Sequence, residues 1–319
     1  MKQNEETTDE RKSAVKAYAL AVLGVVCAAL GPVLFQRLST DFPAIWVIFW
    51  FLLSGGGFSL IAGAIILRLK GQRGLGTLNG KIIAMLALVG LTWTLYFYLY
   101  VFAISIKGAT EASVLTRVGP LFNVIFAAAI LKEKVKSWAR VFLAAIICVV
   151  GLSVSTGEFV QSLTAGVSLC LVVGVMAGMF GALNYALLTR EERRNQVDPL
   201  IAVGISMCFG AAILLMWLFV GEHNSNIVFP VNREQWLSIG VLGIVTVAMW
   251  RYCFVLAATA SKMSKIGMVE YLIPIFVAIY AWLISNQTAD YASMGGGLAI
   301  IIIGLLIADA SVEKKKESS

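Results

Sequence analysis

Gly119-Pro120-Leu121-Phe122-Asn123-Val124-Ile125-Phe126-Ala127 is echoed 154 positions later by Ile273-Pro274-Ile275-Phe276-Val277-Ala278-Ile279-Tyr280-Ala281. Both are apolar runs with a proline at the same place, and each lies in a mainly apolar stretch of about twenty residues, the length a helix needs to cross a hydrocarbon core roughly 30 Å thick. Working outward, Gly151-Leu152 returns as Gly304-Leu305 at an offset of 153. Leu23-Gly24-Val25 with Gly31 returns as Val173-Gly174-Val175 with Gly181 at an offset of 150. Three matches in one order point to an internal duplication.

The composition suits a chain dissolved in lipid. Hydrophobic residues make up 59% and charged residues only 13%, whereas soluble domains carry about a quarter charged residues. Ten apolar runs stand out: Ala14 to Phe35, Pro43 to Leu67, Ile82 to Ile106, Ala109 to Leu131, Trp138 to Ser155, Ala165 to Leu188, Leu200 to Val220, Trp236 to Ala258, Ile266 to Ile284 and Ala292 to Ala308. Stretches such as Ala299 to Leu306 are apolar without alternation, which excludes barrel strands. The first run is too long for a signal-peptide core and reads as a retained helix. The expected fold is an all-α membrane protein of about ten transmembrane helices. Five spans per half is an odd number, so the second half enters from the opposite side and the halves form two inverted five-helix repeats. The expected organisation is an N-terminal tail at 1–13, a first repeat at 14–157, a second at 158–310 and a C-terminal tail at 311–319.

Lys and Arg are retained on the cytoplasmic side, and twenty of the 25 fall on one side of this topology. They lie in the N-terminal tail, between Arg68 and Lys81, between Lys132 and Arg140, between Arg190 and Arg194, at Lys262 and Lys265, and at Lys314 to Lys316. Arg37, Lys107 and Arg233 fall on the other. Both termini are therefore expected in the cytoplasm, with the chain in a plasma membrane, the inner membrane in a bacterium. The net charge of +7 follows from this arrangement, so it calls for no nucleic-acid partner, and the terminal lysine run suits lipid headgroups. All five cysteines fall inside spans, where they read as small packing residues. The one histidine, His223, cannot build a metal site alone, and no cofactor or metal is expected.

Ionisable groups at membrane depth are costly, roughly 2.5 to 3.5 kcal/mol each on insertion scales, and mark functional positions. Arg117, Arg251 and Glu270 qualify. Counted from the turns between spans at 1.5 Å per residue, Arg251 and Glu270 lie about 14 Å in, and Arg117 reaches a similar depth from the other face. They are expected to face a central cavity, binding a charged group of a small-molecule substrate or, for Glu270, a coupling proton. The competing reading is an Arg251 to Glu270 ion pair that merely ties two spans together, a poor source of stability when buried. Trp93, Tyr96, Phe97 and Tyr100 share one helical face by spacing and, with Trp250, could stack a ring or hold a cation. Tyr271 and Asn184 are further candidates for substrate binding. Pro120 and Pro274 are expected to interrupt their helices mid-span, as in the discontinuous helices of transporter sites.

The 5+5 plan resembles the drug/metabolite transporter superfamily, in its EamA-like branch, over nearly the whole chain. The resemblance is carried by the proline-centred spans four and nine, by Leu131-Lys132-Glu133 closing span four, and by Gly-rich, Ile/Leu-rich spans five and ten. The chain departs from the pattern where Asn286-Gln287 stand in place of an acidic residue after span nine, and where Pro43 to Phe51 lack a basic residue. The resemblance implies a secondary active transporter, an exporter, of small organic metabolites such as amino acids, working by alternating access with a proton or counter-solute. A sensor or scaffold that keeps this fold without transport is the alternative. An intramembrane enzyme would need a nucleophile with its base or a metal cluster in the spans, and none is supplied. Monomer and homodimer both fit the sequence.

The orientation is open to a direct check. A fluorescent protein fused after Ser319 is expected to mature, and alkaline phosphatase at the same point to stay inactive; the reverse pattern would place the C-terminus outside.

Overall fold

The computed structural model describes residues 2–71, 79–131, 135–156, 165–188, 197–220, 228–260, 268–286 and 291–310. Among them the chain forms helix and no β-strand. Apolar runs with few internal breakers leave the backbone no partner but itself, and helices satisfy every amide within one segment. In order they are α1 (Lys2–Asp41), α2 (Ala44–Leu69), α3 (Gly80–Lys107), α4 (Ala109–Leu115), α5 (Gly119–Leu131), α6 (Trp138–Thr156), α7 (Ala165–Leu188), α8 (Pro199–Val220), α9 (Arg233–Val241), α10 (Trp250–Ala260), α11 (Ile273–Ser285) and α12 (Tyr291–Asp309). A single 3₁₀ turn (Thr116–Val118) joins α4 to α5, a π-helical segment (Leu242–Met249) joins α9 to α10, and a 3₁₀ segment (Met268–Leu272) leads into α11.

Five helical stretches are long and apolar enough to cross a membrane: Val15–Thr40, Ala44–Leu69, Gly80–Lys107, Pro199–Val220 and Arg233–Phe254. Shorter apolar helices occupy Trp138–Cys148, Ser168–Leu183, Ile273–Ser285 and Gly295–Gly304. Large apolar side chains point outward as well as inward, Ile61, Phe142, Met216 and Phe219 each being exposed, as lipid contact requires. α1 begins at Lys2, so the polar residues expected as a tail continue its helix; Glu, Lys and Arg are good helix formers.

Local chemistry fixes the ends. Asn79 Oδ1 accepts the Ile82 amide at 2.9 Å, and Asn232 Oδ1 accepts the Gln235 amide at 2.8 Å, each satisfying one orphan donor of a first turn. Gly108, at φ 81°, turns the chain from α3 straight into α4 in a conformation that favours glycine. The Ala109 amide then bonds Gln36 Oε1 of α1 at 3.0 Å. Asn286, left-handed at φ 48°, ends α11. That is the common conformation at a helix C-terminus, and asparagine tolerates it, so this departure from the family pattern has a backbone role.

Helix packing repeats itself across the chain. α6 packs on α12 and α2 on α8; α5 packs on α7 as α11 does on α1; α3 packs on α7 as α10 does on α1; α3 packs on α8 as the π segment does on α2. Exchanging the two halves leaves this set of pairs unchanged. Glycines carry it to atomic detail. A Cβ on Gly151 would lie 2.7 Å from the Gly297 carbonyl oxygen and 2.9 Å from the Ile301 amide, and one on Gly304 would lie 3.0 Å from the Ala144 carbonyl oxygen and 3.0 Å from Cys148 Sγ. Adding 153 turns Ala144 and Cys148 into Gly297 and Ile301, so the two contacts are mirror copies. Numbers rise along α6 as they fall along α12, so these helices run antiparallel.

With backbone atoms in the way, Gly151→Ala is expected to destabilise the protein by about 1–3 kcal/mol through overpacking. Gly57→Ala meets nothing within 4 Å and serves as the neutral control. Thermal unfolding in detergent reads both; equal midpoints would show that α6 and α12 are not held at contact distance.

Candidate functional site

The irregular turns in spans four and nine are the starting point. The sequence places the interruption at each proline, whereas the structure places it just before. The 3₁₀ residues come first, and Pro120 and Pro274 are the second residues of α5 and α11. Proline is suited to a first helical turn, where its missing amide hydrogen is not needed. The loss is felt one turn earlier: the Glu270 carbonyl, four residues before Pro274, cannot have its usual helical donor.

Arg117 lies in the 3₁₀ turn of the other half and is buried, 8% exposed. Its Nη1 donates to the Glu270 carbonyl oxygen at 3.4 Å, and its Nε donates to the Ser113 carbonyl oxygen at 3.0 Å. Among the described residues no carboxylate forms an ion pair with it. The half-buried Glu270 feels both Arg117 and Arg251 electrostatically, so the three intramembrane charges are brought into one neighbourhood.

Arg251 reaches that neighbourhood from α10, just after the π segment. Its guanidinium carbon stands 4.2 Å from the Trp93 ring centroid and 4.3 Å from that of Phe180. Trp93, Tyr96, Phe97 and Tyr100 are all buried, as their shared helical face requires. Trp93 packs 4.1 Å from Phe180 and lies nearly parallel to Trp250 at 5.9 Å. Tyr96 stacks on Tyr100 at 5.6 Å and lies within the field of Arg117 and Glu270. Phe97 links the cluster to Phe51 at 4.8 Å and Phe35 at 5.8 Å. The buried indole N–H groups of Trp93 and Trp250 have no acceptor among the described residues, and such a buried donor typically costs about 1–3 kcal/mol.

The side chains of Pro120, Asn184 and Tyr271, with residues Lys132, Glu133, His223 and Gln287, lie outside the described residues. Phe180 and the Ser113 carbonyl were not anticipated from sequence. Phe180 precedes Asn184 by one helical turn, so the face carrying Asn184 was the signal that could have found it. The π segment was read as ordinary helix; Thr246 Oγ1 donates to the Leu242 carbonyl within it.

A groove of about 410 Å³ lies elsewhere, lined by Val114, Pro274, Ala278, Trp282, Gly295 and Leu298. Its walls are apolar and Trp282 on its rim is exposed, so it faces the lipid side and contains none of the three charges.

The sequence profile of the EamA-like transporter family matches residues 15–156 and again 164–308. The pseudopaline exporter CntI of Pseudomonas aeruginosa is 23% identical over 283 residues, covering 89% of this chain and 92% of its own. An uncharacterized transporter of Vibrio cholerae is 24% identical over 301 residues, covering 89% and 90%. A crystal structure with 18% identity superposes with a TM-score of 0.63 over 97% of this chain and 99% of that one, a likeness of fold alone.

Phe180→Leu keeps apolar volume but removes one ring beside Arg251. It is expected to lower stability by about 0.5–2 kcal/mol, the range for a cation on an aromatic face, read as a fall in melting temperature. An unchanged midpoint would show that the ring contributes no more than bulk.

Proposed function

Because the chain belongs to the EamA-like transporter family, we propose that it exports a small organic solute bearing a carboxylate, by alternating access around the Arg117, Arg251 and Glu270 cluster. It is a multi-pass membrane transporter and not an enzyme. The observation that carries the substrate class is Arg117. A guanidinium offers five N–H donors, and this one spends two on backbone carbonyls, at the junction of two broken helices, with no carboxylate in ion-pair contact among the described residues. A buried guanidinium with donors to spare suits a planar, two-oxygen anion, which it can grip bidentately.

The aromatic cluster suggests an organic cation by itself. Against that, Arg251 already lies against Trp93 and Phe180, so the cation-binding faces are in use. Glu270 then takes the amino group of a zwitterion or a coupling proton. An inverted pair of five-helix repeats is supported by the exchange symmetry of the packing and by the antiparallel α6 and α12. The cluster is buried among helices of both halves, so a solute reaches it only when they part. Cytoplasmic termini follow from the charge bias, and the outward direction is suggested by the exporter among the relatives.

Purified protein in liposomes, loaded with a mixture of amino acids, tests this by counterflow. Arg117→Ala is expected to reduce exchange about 10- to 100-fold, the worth of a lost charged hydrogen bond, and Glu270→Gln to abolish stimulation by a pH gradient. Exchange unaffected by Arg117→Ala would sink the site assignment, and binding without any exchange would favour a sensor.

A further inference from the structure

We infer that the site holds a second acceptor group of the solute, a carboxylate or carbonyl oxygen bound by the indole N–H groups of Trp93 and Trp250, so that an amino dicarboxylate or its amide is preferred over an amino acid with an apolar side chain. The inference rests on the carboxylate-carrier reading above and extends it from one acceptor to two.

Both donors are buried and, among the described residues, have no acceptor; Trp93 is only 2% exposed. Indole can donate and cannot accept. Trp93 is packed among rings: Phe97 at 4.9 Å, Phe180, the second indole of Trp250 and Tyr96 at 6.4 Å. Native interiors rarely leave such groups unpaired, and those left call for an explanation. Two buried indole donors left over among the described residues are completed by an oxygen-rich group. Trp93 lies three residues before Tyr96 on the same face of α3, and Tyr96 is within the field of Arg117 and Glu270. The two acceptor positions are thus linked along one helix face, Arg117 and Glu270 at one end for an amino-acid backbone and the indole pair at the other for the side-chain oxygens.

The test titrates L-glutamate, L-glutamine and L-leucine into protein labelled with ¹⁵N at its indoles, assigning the two resonances by their loss in Trp93→Phe and Trp250→Phe. Each variant keeps an aromatic ring while removing the donor and part of the ring's bulk. Glutamate and glutamine are expected to bind at least about tenfold more tightly than leucine, a difference of about 1.4 kcal/mol. Both indole resonances are expected to move on binding. In either variant the preference for glutamate shrinks to less than about threefold while leucine binds as it does to the native protein, a split that a loss of packing alone does not produce. Equal binding of leucine and glutamate with both dependent on Arg117, a preference unchanged in both variants, or indole resonances that glutamate leaves in place would each overturn the second acceptor position while leaving the carboxylate carrier intact. If none of the three amino acids binds, the carboxylate reading falls and this inference with it.

Discussion

Pro274 has no amide hydrogen, and in hydrocarbon the carbonyl it leaves unanswered has no water to turn to. Much of the centre of this protein follows from where that carbonyl finds a donor. In the first half the corresponding oxygen, on Thr116, is met locally by the Gly119 amide in the 3₁₀ turn. In the second half the 3₁₀ segment likewise runs through Glu270, and Arg117 reaches that carbonyl as well from across the interface. The same break that lets a charged side chain sit in the middle of the bundle thereby ties the two halves together through a guanidinium. On the proposed reading, a solute competing for that guanidinium would loosen the tie and so link occupancy to helix movement.

The spans and their order were legible because they depend on summed hydropathy, which local sequence carries in full. The prolines were legible as markers of broken helices, yet the break lies one turn earlier, since a proline disturbs the carbonyl behind it more than its own position. Trp93, Tyr96, Phe97 and Tyr100 were grouped by spacing alone, and their burial on one face of α3 follows from helix geometry. What stayed hidden depends on how helices are rotated against one another. Phe180 meets Arg251 because α7 presents that face to α3, and its one sequence signal was a place one turn before Asn184. The matching depths of Arg251 and Glu270 were legible by counting, and the two do feel one another electrostatically; which rings the guanidinium covers depends on rotation and was not.

The two intramembrane arginines have different surroundings. Aromatic crowding near intramembrane arginines is compatible with an organic cation or with an anion. Arg251 lies against Trp93 and Phe180, so these rings have a protein partner, and among the described residues the hydrogen bonds of Arg117 go to backbone carbonyls. The glycines do different work. At Gly151 and Gly304 they let α6 and α12 meet at backbone distance, and small residues at such contacts are what allow membrane helices to pack when no hydrophobic force drives them together.

The π segment from Leu242 to Met249 bears on how this chain can change over generations. A π turn holds more residues than an α turn, and each α-helical residue turns the chain by about 100°. The wider turn takes up residues that an α-helix could hold only by rotating everything after them, so the length of this stretch sets the face on which Trp250 and Arg251 emerge toward Trp93. Composition is held at one point as well, since a Cβ on Gly243 would lie 2.6 Å from the Phe51 carbonyl oxygen. Descent has to preserve the number of residues in the segment together with that one glycine.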